Sequence, residues 1–348
     1  MFYFDCILLI LNMIKSLLFS LIVICLNACI KNNKPIIERF NGISFVAPPV
    51  KIDSLPIKIL IEETGSNSLA IMPFAFCYGN SNPSLYFNHE KQWWGEKSEG
   101  VISTIRMAKF QNQKVLLKPQ IWIKRGEYTG DLVFKSAAEW SKFESDYQNF
   151  VLSFATIAAQ EKVDIFCIGT ELQNFINKRP AFWEQLIQSI KKIYKGKLTY
   201  AANWDEYQNT PFWNQLDYIG IDAYFPASAE RQPSIEELMN GMKVTQSKLK
   251  TFSARYKLPI LFTEYGYRSM NYAAHKPWES SSEKGINFKV QSNALSAFYE
   301  TFWSEDYVAG GFLWKWFYNN EKAGGIENSG FTPQNKPAIS VIKQYYRE

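Results

Sequence analysis

The chain has 348 residues, 47% of them hydrophobic, 20% charged and 16% aromatic, and a formal net charge of +5. This composition supports a folded core and excludes an intrinsically disordered chain, and without a clustered basic stripe nucleic-acid binding is not expected. Only two histidines are present, His89 and His275, far apart in sequence. They poorly supply a histidine-rich zinc site or a Ser-His-Asp triad, and no metal or cofactor is expected.

Residues 1–28 carry one acid, Asp5, and one base, Lys15. Residues 17–28 form an apolar run too short to span a bilayer comfortably. It ends in Leu26-Asn27-Ala28-Cys29, which resembles a bacterial lipoprotein signal: small residues precede a cysteine that is lipidated and becomes the new N-terminus. Met13-Ile14-Lys15 makes a better signal start than Met1. The expectation is a signal peptide over 1–28, lipidation at Cys29, a polar tether over 29–40 and one folded domain over 41–348. That places the protein in a bacterial cell envelope, attached to the membrane by lipid outside the cytoplasm. An uncleaved anchor is the alternative. Cys77 and Cys167 fall in apolar strand patterns and read as small buried hydrophobes. A disulfide between them does not follow from sequence.

Strands and helices then alternate. The first strand is expected at 42–48, followed by a helix over 57–64. A second apolar strand runs over 68–78. A loop with Trp93 and Trp94 leads to a helix near 100–112. The third strand, 114–123, holds Lys118, Gln120 and Trp122. A long helix over 136–162 opens with a capping box, Ser136 and Glu139. The fourth strand ends in Thr170-Glu171. A helix over 180–194, a fifth strand over 198–204 and a sixth over 216–225 follow. The helix over 234–256 has a second capping box, Ser234 and Glu237. The seventh strand, Ile260 to Thr263, ends at Glu264. After a helix over 286–307 come the eighth strand, 310–317, and a closing helix over 337–346. Eight alternations without a linker predict a parallel sheet, and the count and length match a single-domain (β/α)8 barrel. A doubly wound sheet is the alternative, but no Gly-x-Gly-x-x-Gly follows the first strand and no Walker motif is present.

Chemistry enters through the ends of the fourth and seventh strands. Glu171 and Glu264 each close a short apolar strand, and a buried carboxylate needs partners. In a barrel both sit on the C-terminal rim, where active sites lie. Two carboxylates over one cleft are the equipment of glycoside hydrolysis. The structural alternative for Glu264 alone is an ion pair with nearby Arg268. Tyr224 and Arg268 are the candidates to stabilise Glu264 as an anion, and repulsion from it should keep Glu171 protonated.

In this arrangement the chain resembles clan A of the glycoside hydrolases, and within it family 113, whose known members are mainly β-mannanases. The matching stretches are Ile168-Gly169-Thr170-Glu171-Leu172, Tyr218-Ile219-Gly220-Ile221-Asp222-Ala223-Tyr224, Phe262-Thr263-Glu264-Tyr265-Gly266 and Gly311-Phe312-Leu313-Trp314. The resemblance runs from about Gly42 to the C-terminus. It implies a retaining β-1,4-mannanase with Glu171 as acid/base and Glu264 as nucleophile. Tyr224 would hydrogen-bond the nucleophile, and Trp314 would lie under the sugar at the cleavage point. Thr170 departs from the pattern, because most clan members have Asn there to bind the sugar 2-hydroxyl. Lys118, Gln120, Trp122, Asn203, Trp204 and Asp205 occupy rim positions suited to sugar hydroxyls, and Asp222 is a further candidate contact.

Structural readings stand beside these. Trp314 and Trp316 alternate on a strand, so at most one points inward. Trp93 and Trp94 can staple a loop, Asp205 and Asp222 can hold loops, and Tyr224 can be core. His89 reads as a solvated loop residue. The expected partner is a polysaccharide or oligosaccharide, and the protein is expected to be a monomer. Alternative functions are the same machinery on another β-glycan, or a non-catalytic glycan-binding lipoprotein that kept the barrel.

Overall fold

The computed structural model describes residues 39–123, 127–279 and 285–347. The expected signal segment, Cys29 and the tether up to residue 38 lie outside them. The strands in chain order are β1 (Phe40–Phe45), β2 (Ser68–Ile71), β3 (Phe74–Cys77), β4 (Leu85–Tyr86), β5 (Lys114–Leu117), β6 (Gln120–Ile123), β7 (Ile165–Thr170), β8 (Lys197–Asn203), β9 (Ile219–Asp222), β10 (Ile260–Tyr265) and β11 (Val308–Trp316). The helices are α1 (Leu55–Thr64), α2 (Ser98–Phe110), α3 (Ala137–Gln160), α4 (Gln173–Lys178), α5 (Pro180–Ile193), α6 (Ile235–Tyr256), α7 (Phe288–Phe302) and α8 (Ala338–Arg347).

Strands β1, β2, β5, β7, β8, β9, β10 and β11 close in that order into a barrel of parallel pairs. This is the expected (β/α)8 architecture. Both expected capping boxes are formed, at Ser136 with Glu139 and at Ser234 with Glu237. Among the described residues no helix is long and apolar enough to cross a membrane.

The second and third strands differ from expectation for one physical reason. Each reads as a single run, but each carries a proline two residues past the barrel strand, Pro73 after β2 and Pro119 after β5. Proline cannot donate to a ladder, so a central strand breaks there. The chain leaves the barrel at both points, and its continuations, β3 and β6, pair with each other and with β4 in a separate three-stranded sheet. The first strand begins earlier than expected, at Phe40, so the last tether residue belongs to the barrel, and Arg39 before it donates to the Glu305 carbonyl at 3.0 Å.

Two apolar layers hold the barrel. The strands' outer faces pack against the helices through a large core that includes Trp183, Trp213 and Trp316, all fully buried. A smaller cluster fills the interior: Ala70, Leu116, Ile165, Cys167, Ala201, Leu261, Ala309 and Phe312. Phe312 requires glycine opposite it, since a Cβ on Gly42 would lie 2.3 Å from its ring. Cys77 and Cys167 are free and buried, consistent with small hydrophobes. The interior cluster is a dry plug, and the polar groups at the strand ends rest on it.

Candidate active site

Barrel register places the polar strand ends in one layer. Glu264 is opposite Asp222, and Asp222 is opposite Asn203, on the adjacent strands β10, β9 and β8. Glu264 is 7% exposed and accepts three hydrogen bonds. Tyr224 Oη donates to Oε2 at 2.7 Å, Lys118 Nζ to Oε1 at 2.6 Å, and Gln120 Nε2 to Oε1 at 3.1 Å. All three neighbours are donors, an arrangement that a carboxylate anion satisfies. Ala223 N–H donates to the Glu264 carbonyl at 2.7 Å, tying the turn that carries Tyr224 to the strand that carries Glu264.

The cation expected beside Glu264 was Arg268, and the structure replaces it. The Arg268 guanidinium lies 4.4 Å from the centre of the Phe331 ring, and its Nε is buried without a hydrogen-bond partner. The ammonium of Lys118 takes the place. Lys118 is fully buried, so it is not the rim contact for sugar hydroxyls that was expected. It also donates to Asp222 Oδ1 and Oδ2 at 3.0 and 3.1 Å. Burial opposes its charge, but Asp222 and Glu264 more than offset this and hold the ammonium above its ordinary range. Asp222 is also closed to sugar at 1% exposure, and Thr263 Oγ1 donates to it at 2.7 Å. Burial first, then the charge of Glu264, pushes the Asp222 carboxyl up, with Lys118 and Thr263 acting against the rise. One ammonium therefore serves two carboxylates.

Glu171 feels the charges of that cluster. Its carboxyl is held well above the ordinary range, by burial first and then by the charges of Asp222 and Glu264, with Lys118 opposing. The direction is the one expected of it. The strand end that presents Glu171 is clamped. Tyr147 Oη donates to the Ile168 carbonyl at 2.8 Å, the Glu171 N–H to the Ala201 carbonyl at 2.8 Å, and the Leu172 N–H to Tyr200 Oη at 2.7 Å. Glu171 itself takes a left-handed backbone, φ 51°, a costly conformation for a residue with a Cβ that persists only where the surroundings impose it. At Thr170, where the clan pattern has Asn, the buried Oγ1 has no hydrogen-bond partner.

Of the two tryptophans on β11, Trp316 is core and Trp314 is half-buried. Trp314 lines a groove of about 570 Å³ with Phe74, Trp93, Trp122, Lys315 and Phe317 among its walls. Lys315 Nζ lies 4.8 Å from the Trp314 ring centre and 5.3 Å from that of Phe317. Of the loop pair, Trp93 is exposed and Trp94 is buried. Trp122 is 54% exposed, and it stands on the separate sheet, not on the barrel rim.

The far side of the rim is built by the loop after β8. Asn203 Nδ2 donates to Tyr128 Oη at 3.0 Å, and Trp204 stacks on Trp278 with ring centres 5.2 Å apart. Asp205 is exposed, and the carboxyl this loop buries belongs to Glu206, which accepts from Tyr128 Oη at 2.9 Å. Burial pushes Glu206 up to about 7. Tyr128, Glu206 and Trp278 were missed by sequence reasoning. An acid two residues beyond Trp204 carries no burial signal of its own. Lys118 did carry one, since it ends the apolar run Val115-Leu116-Leu117 as Glu264 ends its own. Among the described residues no three His, Cys, Asp or Glu side chains are grouped to hold a metal ion.

Comparison with known proteins supports the fold and gives the family. The sequence profile described as Glycoside Hydrolase Family 113 matches residues 54–336. No curated protein matches the chain significantly in sequence. Among solved structures, a GH113 β-1,4-mannanase complex superposes with a TM-score of 0.78 at 23% identity, covering 89% of this chain and 99% of that one. The GH113 β-mannanase AaManA from Alicyclobacillus acidocaldarius, in complex with ManMIm, gives 0.78 at 20% identity, covering 89% and 97%. The β-glucuronidase of Ruminococcus gnavus gives 0.60 at 12% identity, covering 88% of this chain and 50% of that one. At these identities the superpositions speak for the fold, and the profile match speaks for the family.

Proposed function

The chain belongs to glycoside hydrolase family 113 and is a glycoside hydrolase, and on that premise we propose that it cleaves β-1,4-linked mannan or manno-oligosaccharides with retention of anomeric configuration. The observation that carries the mechanism is the difference between the two carboxyl groups. Glu264 receives three donors, while the Glu171 carboxyl is held up by burial and then by the charges of Asp222 and Glu264. Like charges close together separate the roles of chemically identical groups.

Glu264 attacks the anomeric carbon from the face opposite the leaving group. As the glycosidic C–O bond breaks, Glu171 gives its proton to the departing oxygen, and a glycosyl ester forms on Glu264. Water then attacks the same carbon, and Glu171 takes a proton from it. The ester bond to Glu264 breaks, and the sugar leaves with its original configuration. Lys118, Gln120 and Tyr224 orient Glu264 and balance its charge before attack and after release. Trp314 offers the apolar face of its indole to the sugar ring. The mannan substrate rests on the family and on the β-mannanase activity of the structural relatives it resembles.

The segment ending in Leu26-Asn27-Ala28-Cys29 supports a lipid-anchored enzyme of the cell envelope, acting on glycans outside the cytoplasm. Measuring reducing-end release on a panel of mannans, xylans and glucans tests the reading. Release confined to mannans is the expected result, release from another β-glycan alone would move the substrate class, and no release from any would remove the hydrolase assignment.

A further inference from the structure

The separate sheet has an unusual outer face. Strands β3, β4 and β6 bury Ala75, Cys77, Leu85, Ile121 and Ile123 against the protein. Their other face alternates outward, as strand geometry requires. On a half-exposed sheet that face is normally polar. Here it carries Phe74, Phe76 and Tyr78 from β3 and the residue after it, Tyr86 from β4 and Trp122 from β6. Register lines three of them up across the sheet, since Phe76 is opposite both Tyr86 and Trp122. Tyr78, Tyr86 and Trp122 are 58%, 44% and 54% exposed. Tyr78 meets Tyr86 edge to face at 5.9 Å, and Phe74 meets Trp122 in the same way at 6.3 Å. Contiguous exposed apolar surface of this kind marks a binding site.

The face is continuous with the groove at Trp314. The groove that holds Trp314 is walled by Phe74, Phe76 and Trp122, and a second depression of about 700 Å³ beyond it is lined by Phe76, Tyr78, Tyr86 and Trp122. Phe76, His89 and Trp122 belong to both. Gln120, two residues before Trp122 and opposite Phe74, hydrogen-bonds Glu264. The sheet is thus fastened to the catalytic rim through the same short segment that supplies Lys118 and Gln120.

We infer that this aromatic face is a distal glycan-binding shelf, which holds the part of a β-linked polysaccharide chain lying beyond the sugars at Glu171 and Glu264. The inference rests on the glycoside hydrolase reading and extends it. Pyranose rings present C–H faces that pack on aromatic rings while their hydroxyls stay in water, so a half-exposed row of Phe, Tyr and Trp suits a sugar chain. The chain is the occupant because the row begins at the groove that holds Trp314, the indole proposed to lie under the sugar at the cleavage point, so a polymer seated on Trp314 can continue along the row.

The test uses the full barrel chain and two variants. In Tyr78→Ala/Tyr86→Ala both side chains are solvent-exposed, and Trp122→Ala removes the other end of the row. Their kcat/KM is measured on a soluble β-mannan and on a short aryl β-mannoside, with thermal unfolding as the folding control. The ratio of polymer to short-substrate kcat/KM should fall about tenfold or more in each variant, mainly through KM. A ratio within twofold of wild type in both variants would overturn the shelf and leave the hydrolase reading intact. Binding of Glu264→Gln to immobilised mannan, xylan and glucan separates the two ideas. Glycan binding that depends on Tyr78 and Tyr86, without hydrolysis by the wild type, would keep the shelf and sink the hydrolase reading. No glycan retention would overturn the shelf. So would a dimer in solution that dissociates in the tyrosine variant, because a second copy would then cover the face.

Discussion

Lys118 Nζ lies 2.6 Å from Glu264 Oε1, in a pocket that admits no solvent to the lysine, and the same nitrogen holds Asp222. The two residues are 146 positions apart in sequence. The pair makes Glu264 part of a buried charge cluster, in which Asp222 and Glu264 add to the effect of burial on the Glu171 carboxyl and Lys118 opposes it.

Lys118→Met should therefore act on both folding and chemistry. It leaves Asp222 and Glu264 facing each other without a cation, and breaking a buried pair in this way costs about 3–5 kcal/mol. Denaturant unfolding should show a loss of that order, and turnover should fall by about a hundredfold or more as Glu264 loses a charge-assisted donor. Near-wild-type turnover would show that the ammonium is not needed at Glu264.

Azide assigns the two carboxylates. Glu264→Gly should abolish hydrolysis, and azide should restore it with inversion at the anomeric carbon. Glu171→Gly should still form the glycosyl-enzyme from substrates with good leaving groups, which need no protonation, and azide should then give a product of retained configuration. The exchange of these two outcomes would reverse the roles. Because Glu171 is in a left-handed conformation, its replacement by Gly should not lower the melting temperature, and a drop of several degrees would contradict the stored strain.

The protonation of Glu171 predicts a stability trend. Its folded-state pKa is raised, so the native state binds the proton more tightly than the unfolded chain. The resulting stability is fully present below the unfolded carboxyl value of about 4.3 and is lost as pH rises through the raised folded value. Glu96 and Glu206, each pushed up to about 7 by burial, act in the same direction. Unfolding free energy should thus decline from about pH 4.5 upward. Glu171→Gln should flatten part of that decline. An identical pH dependence in the variant would mean that Glu171 titrates normally.

Trp314→Ala should reduce turnover far more than stability, because the indole is half-buried and faces the groove. Trp316→Ala is the contrast, with a fully buried side chain and an expected loss of about 3–5 kcal/mol. If both variants lost stability alike, Trp314 would have to be counted as core.

Cys29→Ser should release the protein from the membrane fraction and abolish acyl labelling, since a lipid on that cysteine would be the lasting anchor. Unchanged fractionation would remove the lipoprotein assignment and leave the barrel's chemistry untouched.

The alternation of apolar strands with amphipathic helices determined the barrel from sequence, because buried parallel strands need continuous apolar runs and helices need a stripe. The acids at the ends of two such runs determined which carboxylates to examine, since a charge at the edge of a core demands a partner. Tertiary structure decided the partners. Arg268 is four residues from Glu264, yet barrel closure brings Lys118 to it from the opposite side and turns Arg268 onto Phe331. It also decided the fate of the second and third strands. Pro73 and Pro119 expel the chain from the barrel, but only its pairing in space shows that the expelled pieces form a sheet with an aromatic face. Pattern along a chain reports burial and period, whereas the choice among charges and edges depends on closure, and closure joins residues that sequence keeps more than a hundred positions apart.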